Sequence, residues 1–169
     1  MRRGRVLALT VATALAVLAV DQLVKALVRG SVEIGERRDV LGSALRLVHV
    51  ENDGVAFGRL SGSPVIVAAI VSVALVALVV YVGTHLDVPG IWLPTGMLLG
   101  GAIGNVVDRV ARGSVTDYIK APNWPAFNAA DIAITLGVVL LLVVVERDAR
   151  RRDRATRAAE AGDGAPGPA

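Results

Sequence analysis

Four long apolar stretches, interrupted by few polar positions, dominate the pattern along the chain. They cover residues 6–28, 65–82, 91–107 and 127–145. They lack the alternation of apolar and polar residues that is typical of barrel strands. A helix rises about 1.5 Å per residue and the hydrocarbon core of a bilayer is about 30 Å thick, so each stretch can cross or nearly cross it. The pattern predicts an all-α membrane protein, a bundle of four transmembrane helices.

The first stretch has a second interpretation. Its basic start, its apolar core and small residues such as Ala14 and Ala16 are also typical of a cleaved signal peptide. However, the apolar pattern continues past Asp21, and an even number of spans places both arginine-rich termini on one side. Cytoplasmic flanks carry the excess of Lys and Arg, so we expect a retained helix and two cytoplasmic termini.

The segments outside the apolar stretches differ in composition. Residues 29–63 contain short β-prone patches with Gly35 and Gly42 as turn points, which predicts a small β-rich extracytoplasmic cradle between helices 1 and 2. Residues 147–169 are rich in Arg and Ala and then in Gly and Pro, which predicts a disordered basic cytoplasmic tail. We therefore expect one membrane domain over residues 1–146, followed by this tail.

Composition narrows the available chemistry. Hydrophobic residues make up 54% of the 169, and the chain contains no cysteine and two histidines, His49 and His85. Disulfides, thiolate nucleophiles and cysteine-ligated metals are excluded, and a multi-histidine zinc site is not expected. The formal net charge of +3 arises from basic clusters that flank apolar stretches. Aromatic residues are scarce around them, so membrane lipid is a better partner than nucleic acid.

Polar side chains inside three of the predicted helices lie at similar depth. Asp21, Asn105 and Asp131 are about 24, 22 and 21 Å from the inner ends of their helices. A carboxylate at a helix centre in a bilayer costs about 2.5–3.5 kcal/mol, so such groups must meet each other or trapped water. Taken singly they are typical of structural contacts, such as an (i, i+4) pair of Asp21 with Lys25. Taken together they indicate a functional layer.

A layer of carboxylates suits one kind of catalysis. An ionised carboxylate can take a proton from water while a protonated neighbour polarises a scissile carbonyl, because burial and like charge separate the two pKa values. Metal binding by carboxylates alone is an alternative, although it favours open, wet sites. Depth does not choose among the four candidates near the outer face, which are Asp21, Asp108, Asp117 and Asp131.

Four motifs occur in order along residues 21–135. They are DQLVK at 21–25, NDGVAFG at 52–58, GGAIGNVVDR at 100–109 with GSVTDY at 113–118, and WPAFNAAD at 124–131. Together they resemble the bacterial lipoprotein signal peptidases (signal peptidase II), a family of intramembrane aspartic peptidases. The departures from the family pattern are Thr116, Tyr118 and Ile132, and none removes a catalytic group.

The resemblance implies roles for most of the residues singled out. Asp117 and Asp131 fall on the catalytic aspartates of the family. The substrate-binding or supporting positions fall on Asp21, Lys25, Asn52, Gly54, Asn105, Asp108, Arg109 and Asn128. The implied reaction removes the signal peptide from diacylglyceryl-modified prolipoproteins just before the lipidated cysteine, without a cofactor or metal.

Two other classes of function fit the residues. A small transporter could use the buried carboxylates as a proton relay, although the polar layer lies at one side of the membrane rather than along a through-path. A structural membrane partner could use the layer only for helix packing. As a peptidase, the chain is expected to be a monomer of the bacterial plasma membrane, with prolipoproteins and membrane lipids as partners and a site near the outer leaflet.

Overall fold

The computed structural model describes residues 3–40, 44–53, 73, 76, 77 and 80–163. The main elements in these ranges are the helices α1 (Arg3–Ser31), α2 (Trp92–Arg112) and α3 (Ala129–Asp163) and the strands β1 (Arg37–Asp39), β2 (Arg46–Asn52) and β3 (Val115–Lys120). Most of the predicted second span, residues 65–82, lies outside the described residues.

Two of the described helices are long and apolar enough to cross a membrane. They are α1 and the Ala129–Ala158 part of α3. Large apolar side chains such as Leu15, Leu23 and Leu142 are at least 60% exposed on them, as expected for surfaces that face lipid rather than water. α2 packs between α1 and α3. The described part of the chain is thus mostly helical, with one small sheet.

Glycines let α2 approach both neighbours closely. A Cβ atom on Gly100 would lie 2.5 Å from the carbonyl oxygen of Ala14 in α1. On another side of α2, a Cβ atom on Gly101 would lie 2.6 Å from the carbonyl oxygen of Ala130 in α3. Side chains at these positions would hold the backbones apart, so small residues set the spacing of the three helices.

An apolar cluster closes the end of the bundle where α1 begins. Val6, Val88 and Ile91 are buried together, and Leu141 and Val144 of α3 pack against them. The cluster therefore places the start of α1, the start of α2 and residues 141–144 at one level.

The sheet lies at the other end of the bundle. It is antiparallel with the order β1-β2-β3, and Val28 and Val32 pack against Tyr118 to join α1 to β3. The predicted β-rich segment supplies β1 and β2. The third strand was not predicted, because residues 108–126 were expected to be only a connection. β3 places Asp117 opposite Val50 of β2.

The helix α3 continues to Asp163, whereas the sequence predicts disorder from residue 147. Two (i, i+4) ion pairs contribute to the helix, Glu146 with Arg150 and Asp148 with Arg152, each at 2.7 Å. Arg and Ala also have high helix propensity. The expected disorder is therefore wrong for residues 147–163, and residues 164–169 lie outside the described range.

We expect Gly101→Ala to destabilise the protein by about 1–3 kcal/mol, because its methyl group would overlap the backbone of α3. Gly30→Ala is the matched control, since no atom lies within 4 Å of the added carbon there. Thermal unfolding of both variants in detergent measures the difference. Equal melting temperatures for the two variants would contradict the close contact of α2 with α3.

Candidate active site

Asp117 of β3 and Asp131 of α3 are each held by amide groups. Asp117 is 2% exposed and accepts hydrogen bonds from the Nδ2 atoms of Asn52 and Asn128, both at 2.8 Å. Asp131 accepts one from Asn105 Nδ2 at 2.9 Å and one from the backbone N–H of Asn128 at 3.1 Å. The two carboxylates therefore share Asn128, which lies between them in the hydrogen-bond network.

The first turn of α3 positions Asp131. Asn128 precedes the helix, and its Oδ1 accepts the backbone N–H of Asp131 at 3.0 Å while the Asp131 carboxylate accepts the N–H of Asn128. This reciprocal arrangement is a capping box, in which the cap and the third helical residue satisfy each other's backbone donors. The start of α3 and the position of the carboxylate are thus set by the same two residues.

Two further backbone donors of this first turn are bound by Tyr118 and by the predicted site residue Asp21. Ala129 donates its N–H to the Tyr118 hydroxyl, and Ala130 donates its N–H to Asp21 Oδ1, each at 3.0 Å. A helix amino-terminus has unpaired N–H groups and a partial positive charge, so it stabilises carboxylates placed there. α1 and β3 are in this way joined to the start of α3.

Lys25 is the centre of a buried ion network. It is fully buried, and its Nζ lies 2.8 Å from Asp21, 2.9 Å from Asp108 and 2.9 Å from Asn105 Oδ1. These three acceptors match the three hydrogens of an ammonium group. Arg29 lies 3.7 Å from Asp108, so two cations balance two carboxylates.

The ammonium group also determines which way the amides point. Lys25 can only donate, so Asn105 must turn its oxygen toward Lys25 and its NH₂ toward Asp131. The backbone N–H of Asp131 fixes Asn128 in the same way, which leaves the NH₂ of Asn128 for Asp117 and for the oxygen of Asn105. Both carboxylates therefore face amide donors.

A cavity of about 620 Å³ opens onto the two carboxylates. This size is in the range of ligand sites. Its acidic and amide side chains come from Glu51, Asn52, Asp53, Asp117 and Asp131, and the rest of its wall comes from Val50, Trp124, Pro125, Ala126 and Phe127. The cavity thus combines a buried acidic end with an apolar wall.

The structure separates the four aspartates that the sequence left open. Asp117 and Asp131 line the cavity, whereas Asp21 and Asp108 are used in the ion network around Lys25. Asp53 also lines the cavity, but its side chain is exposed. The geometry therefore favours Asp117 and Asp131 as the reactive pair.

Of the predicted site residues that the structure describes, Arg109 is the one that makes no hydrogen bond or ion pair to Lys25 or to the two carboxylates of the reactive pair. Arg109 donates from Nη1 to the carbonyl oxygen of Asn105 at 3.3 Å, and its Nε has no hydrogen-bond partner among the described residues. Gly54 lies outside the described residues. Within the described ranges, no cluster of three acidic or histidine side chains is arranged to hold a metal ion.

Gln22 and Arg29 belong to the network and were not predicted as site residues. Gln22 Nε2 donates to Asp108 at 3.2 Å and to the carbonyl oxygen of Gly104 at 3.1 Å. Arg29 donates to Thr116 Oγ1 at 3.0 Å. A signal existed for Arg29, since it lies four residues after Lys25 on the same helix face.

Burial raises the pKa of Asp117 to about 6, and the charge of Asp131 acts in the same direction. Hydrogen bonds from Asn52 and Asn128 and the charge of Lys25 oppose this rise in the pKa. Asp117 can therefore hold or release a proton close to neutral pH. A buried carboxyl group with this property is suited to acid–base catalysis.

The raised pKa of Asp117 predicts a pH-dependent stability. Its ordinary pKa is 3.8 and the folded value is about 6, so the folded state holds the proton more tightly. The stabilisation is fully present below pH 3.8 and is lost as the pH rises through 6. Between pH 4 and pH 7.5 the free energy of unfolding should fall by up to about 3 kcal/mol more in the wild type than in Asp117→Asn.

Denaturant unfolding at several pH values measures this difference, and Asp39→Asn is the control because Asp39 is exposed on β1. The same pH dependence in the wild type and in Asp117→Asn would contradict it.

Lys25→Met should reduce the free energy of unfolding by about 3–5 kcal/mol, because Asp21 and Asp108 would remain buried with too little positive charge. The second lysine, Lys120, is partly exposed, so Lys120→Met is the control for the same chemical change. Adding Asp21→Asn to Lys25→Met should recover part of the loss. If Lys25→Met and Lys120→Met unfold at the same temperature, the network does not support the fold.

Comparisons with known proteins identify the family of the chain. The family model described as signal peptidase (SPase) II matches residues 13–146. The lipoprotein signal peptidase of Moorella thermoacetica is 42% identical over 129 residues, covering 76% of this chain and 86% of that protein. The lipoprotein signal peptidase of Syntrophomonas wolfei is 38% identical over 140 residues, covering 83% of this chain and 94% of that protein.

A solved structure, described as that of a bacterial membrane enzyme, has a TM-score of 0.71 to this fold at 29% identity. It covers 83% of this chain and 88% of its own. The resemblance expected from the four motifs is thereby confirmed, and the chain belongs to the signal peptidase II family of peptidases.

Proposed function

We propose that this chain is an aspartic endopeptidase that removes the signal peptide from diacylglyceryl-modified prolipoproteins, cleaving just before the lipidated cysteine. Its family, whose relatives are named lipoprotein signal peptidases, supports the class of reaction. One observation carries the proposed mechanism. Of the four candidate aspartates, Asp117 and Asp131 line the cavity and accept hydrogen bonds from asparagine side chains, whereas Asp21 and Asp108 form ion pairs with Lys25.

In this mechanism the two carboxyl groups share one proton and hold a water molecule between them. The ionised carboxylate takes a proton from the water, whose oxygen attacks the scissile carbonyl carbon. The protonated carboxyl group donates a hydrogen bond to the carbonyl oxygen and stabilises the negative charge that develops there. The carboxyl group that received the water proton then donates it to the leaving amine nitrogen as the carbon–nitrogen bond breaks, which completes the cleavage.

The amide donors around the pair support a mechanism with one ionised and one protonated carboxyl group. Asn52, Asn105 and Asn128 donate to the two carboxylates and so stabilise the single negative charge that the pair keeps in a buried place. The donor orientation of Asn105 is determined by Lys25, and that of Asn128 by the backbone of α3. In this proposal the network residues do not contact the substrate. They hold the two carboxylates in place and stabilise their negative charge.

The proposed placement has four spans, cytoplasmic termini and a site near the outer leaflet. The apolar cluster around Val6 and Ile91 marks the inner end. Asp21 lies 15 residues beyond Val6, or about 22 Å at the helical rise, which is close to the outer boundary of the hydrocarbon core. The lipid of the substrate anchors its cysteine at this level, and the apolar wall that includes Trp124 and Phe127 can lie against the substrate.

The domain limits of the proposal follow the sequence. We propose residues 1–146 as the peptidase domain, with residues 29–63 as its extracytoplasmic cradle. Of the cradle residues that the structure describes, Val50, Glu51, Asn52 and Asp53 line the cavity. A proton-relaying transporter is less well supported, because the described residues near the inner end form an apolar cluster rather than a polar path. We propose that the chain acts as a monomer.

Asp117→Asn and Asp131→Asn should each lower the cleavage rate at least about a thousandfold, because each removes a group needed for proton transfer. The measurement is a gel-shift assay with purified protein and a diacylated prolipoprotein, with and without EDTA. Asp39→Asn, the same change on exposed β1, is the control and should retain activity.

Full activity in either active-site variant would exclude the aspartate pair. Loss of wild-type activity in EDTA would show that a metal ion takes part and would also contradict the mechanism.

A further inference from the structure

Arg147 and Arg151 are two neighbouring arginines of α3 without acidic partners. They lie one helical turn apart, just beyond the apolar part of the helix, and their side chains are exposed. Neither has an ion pair or a hydrogen bond to any of the described residues. Two unpaired guanidinium groups on one face of a helix make a local concentration of positive charge.

Arg150 and Arg152, the arginines that lie beside them, are both paired. Arg150 lies 2.7 Å from Glu146. Arg152 lies 2.7 Å from Asp148 and 3.0 Å from Asp87. Glu146, Asp148 and Asp87 are therefore already used by other arginines, and the charge of Arg147 and Arg151 is left for another anion.

A small cavity lies between these two arginines and a turn of the chain. It has a volume of about 180 Å³ and is lined by Pro89, Gly90, Val144, Arg147, Asp148 and Arg151. The carboxylate of Asp148 is held by Arg152, so it does not neutralise the cavity. The cavity thus has cationic walls, a backbone turn opposite them and the apolar Val144 beside them.

The cavity lies where lipid headgroups are expected. Val144 belongs to the apolar cluster at the end of the bundle, and the preceding Leu142 and Val143 are exposed on the lipid-facing surface. Arg147 and Arg151 follow Val144 by about 4.5 and 10 Å along the helix. Headgroup layers extend roughly 5–8 Å beyond each side of the hydrocarbon core. The backbone of Arg147 therefore lies within the headgroup layer. Arg151 lies just beyond it, and its long side chain can reach back to the phosphate level because helical side chains tilt toward the helix amino-terminus.

We propose that Arg147, Arg151 and the turn at Pro89 and Gly90 bind the phosphate of an anionic phospholipid in the leaflet next to the start of α1. Guanidinium groups bind phosphate oxygens through two parallel hydrogen bonds, and a pair of them suits a phosphodiester. The apolar surface that begins at Val144 favours a lipid over free phosphate, because acyl chains can lie along it. The inference rests on the proposed membrane placement, and it does not depend on peptidase activity.

Native mass spectrometry of the purified full chain in detergent tests the site, with phosphatidylglycerol and phosphatidylcholine titrated separately. The wild type should bind phosphatidylglycerol more tightly than phosphatidylcholine. The double variant Arg147→Gln/Arg151→Gln should lose about thirtyfold of the affinity for phosphatidylglycerol, which corresponds to about 1 kcal/mol for each arginine near a membrane surface.

Arg150→Gln/Arg157→Gln is the matched control, because it removes the same charge from a different side of the helix at 100° per residue. It should retain the affinity for phosphatidylglycerol. Equal loss in both double variants would show a general charge effect and overturn the site. Inorganic phosphate that displaces phosphatidylglycerol at similar concentration would show an anion site without lipid selectivity, which also overturns the proposal.

Peptidase activity of the same samples is measured separately. Arg147→Gln/Arg151→Gln should still cleave a diacylated prolipoprotein in detergent, since the arginines lie at the end of the bundle opposite the aspartates. Failure of the wild type to cleave would contradict the proposed function, and the lipid titration would still give its own result.

Discussion

The ion pairs and the hydrogen bond that compensate the buried Lys25 ammonium group organise the whole site. A fully buried cation is costly unless its charge and its hydrogens are compensated. Here Asp21, Asp108 and Asn105 accept its three hydrogens, and they come from two different helices. The requirement to satisfy this charge therefore draws α1 and α2 together and fixes an amide that faces Asp131.

The same network joins the elements that carry the reactive groups. Asp21 accepts a backbone N–H from the first turn of α3, and Asp108 accepts the backbone N–H of Thr116 in β3 at 3.4 Å. One carboxylate of the network thus holds the start of the helix that carries Asp131, and the other holds the strand that carries Asp117. Asp117 and Asp131, the proposed catalytic pair, are therefore positioned by the same carboxylates, Asp21 and Asp108, that compensate the charge of Lys25.

Close packing makes this compensation possible. A Cβ atom on Gly104 would lie 2.6 Å from Asp21 Oδ2, so a larger residue there would displace a carboxylate of the network. Gly101, three residues earlier, lets α3 approach α2 near its first turn. Glycines on α2 therefore serve the site as well as the bundle, because they leave room for polar groups and backbone to meet at short distance.

The amino-acid sequence alone predicts a helical membrane protein and a layer of polar side chains at one level. The predicted spans and the shared depth of Asp21, Asn105 and Asp131 follow from positions along single helices, where each residue adds a fixed rise. The absence of cysteine follows directly from the composition. The direct contacts of Asp21 with Ala130 and of Asn105 with Asp131 agree with that depth. The four motifs also identified the family.

Three features depend on the folded arrangement. They are the choice of aspartates that face the cavity, the pairing of β3 with β2, and the direction in which the amides of Asn105 and Asn128 point. Each of these depends on contacts between distant segments, such as Lys25 with Asn105, 80 residues apart. Rise along a helix is a local property of the backbone. The choice of neighbour and the direction of a hydrogen bond are set by packing and charge compensation among elements that the sequence does not place relative to one another.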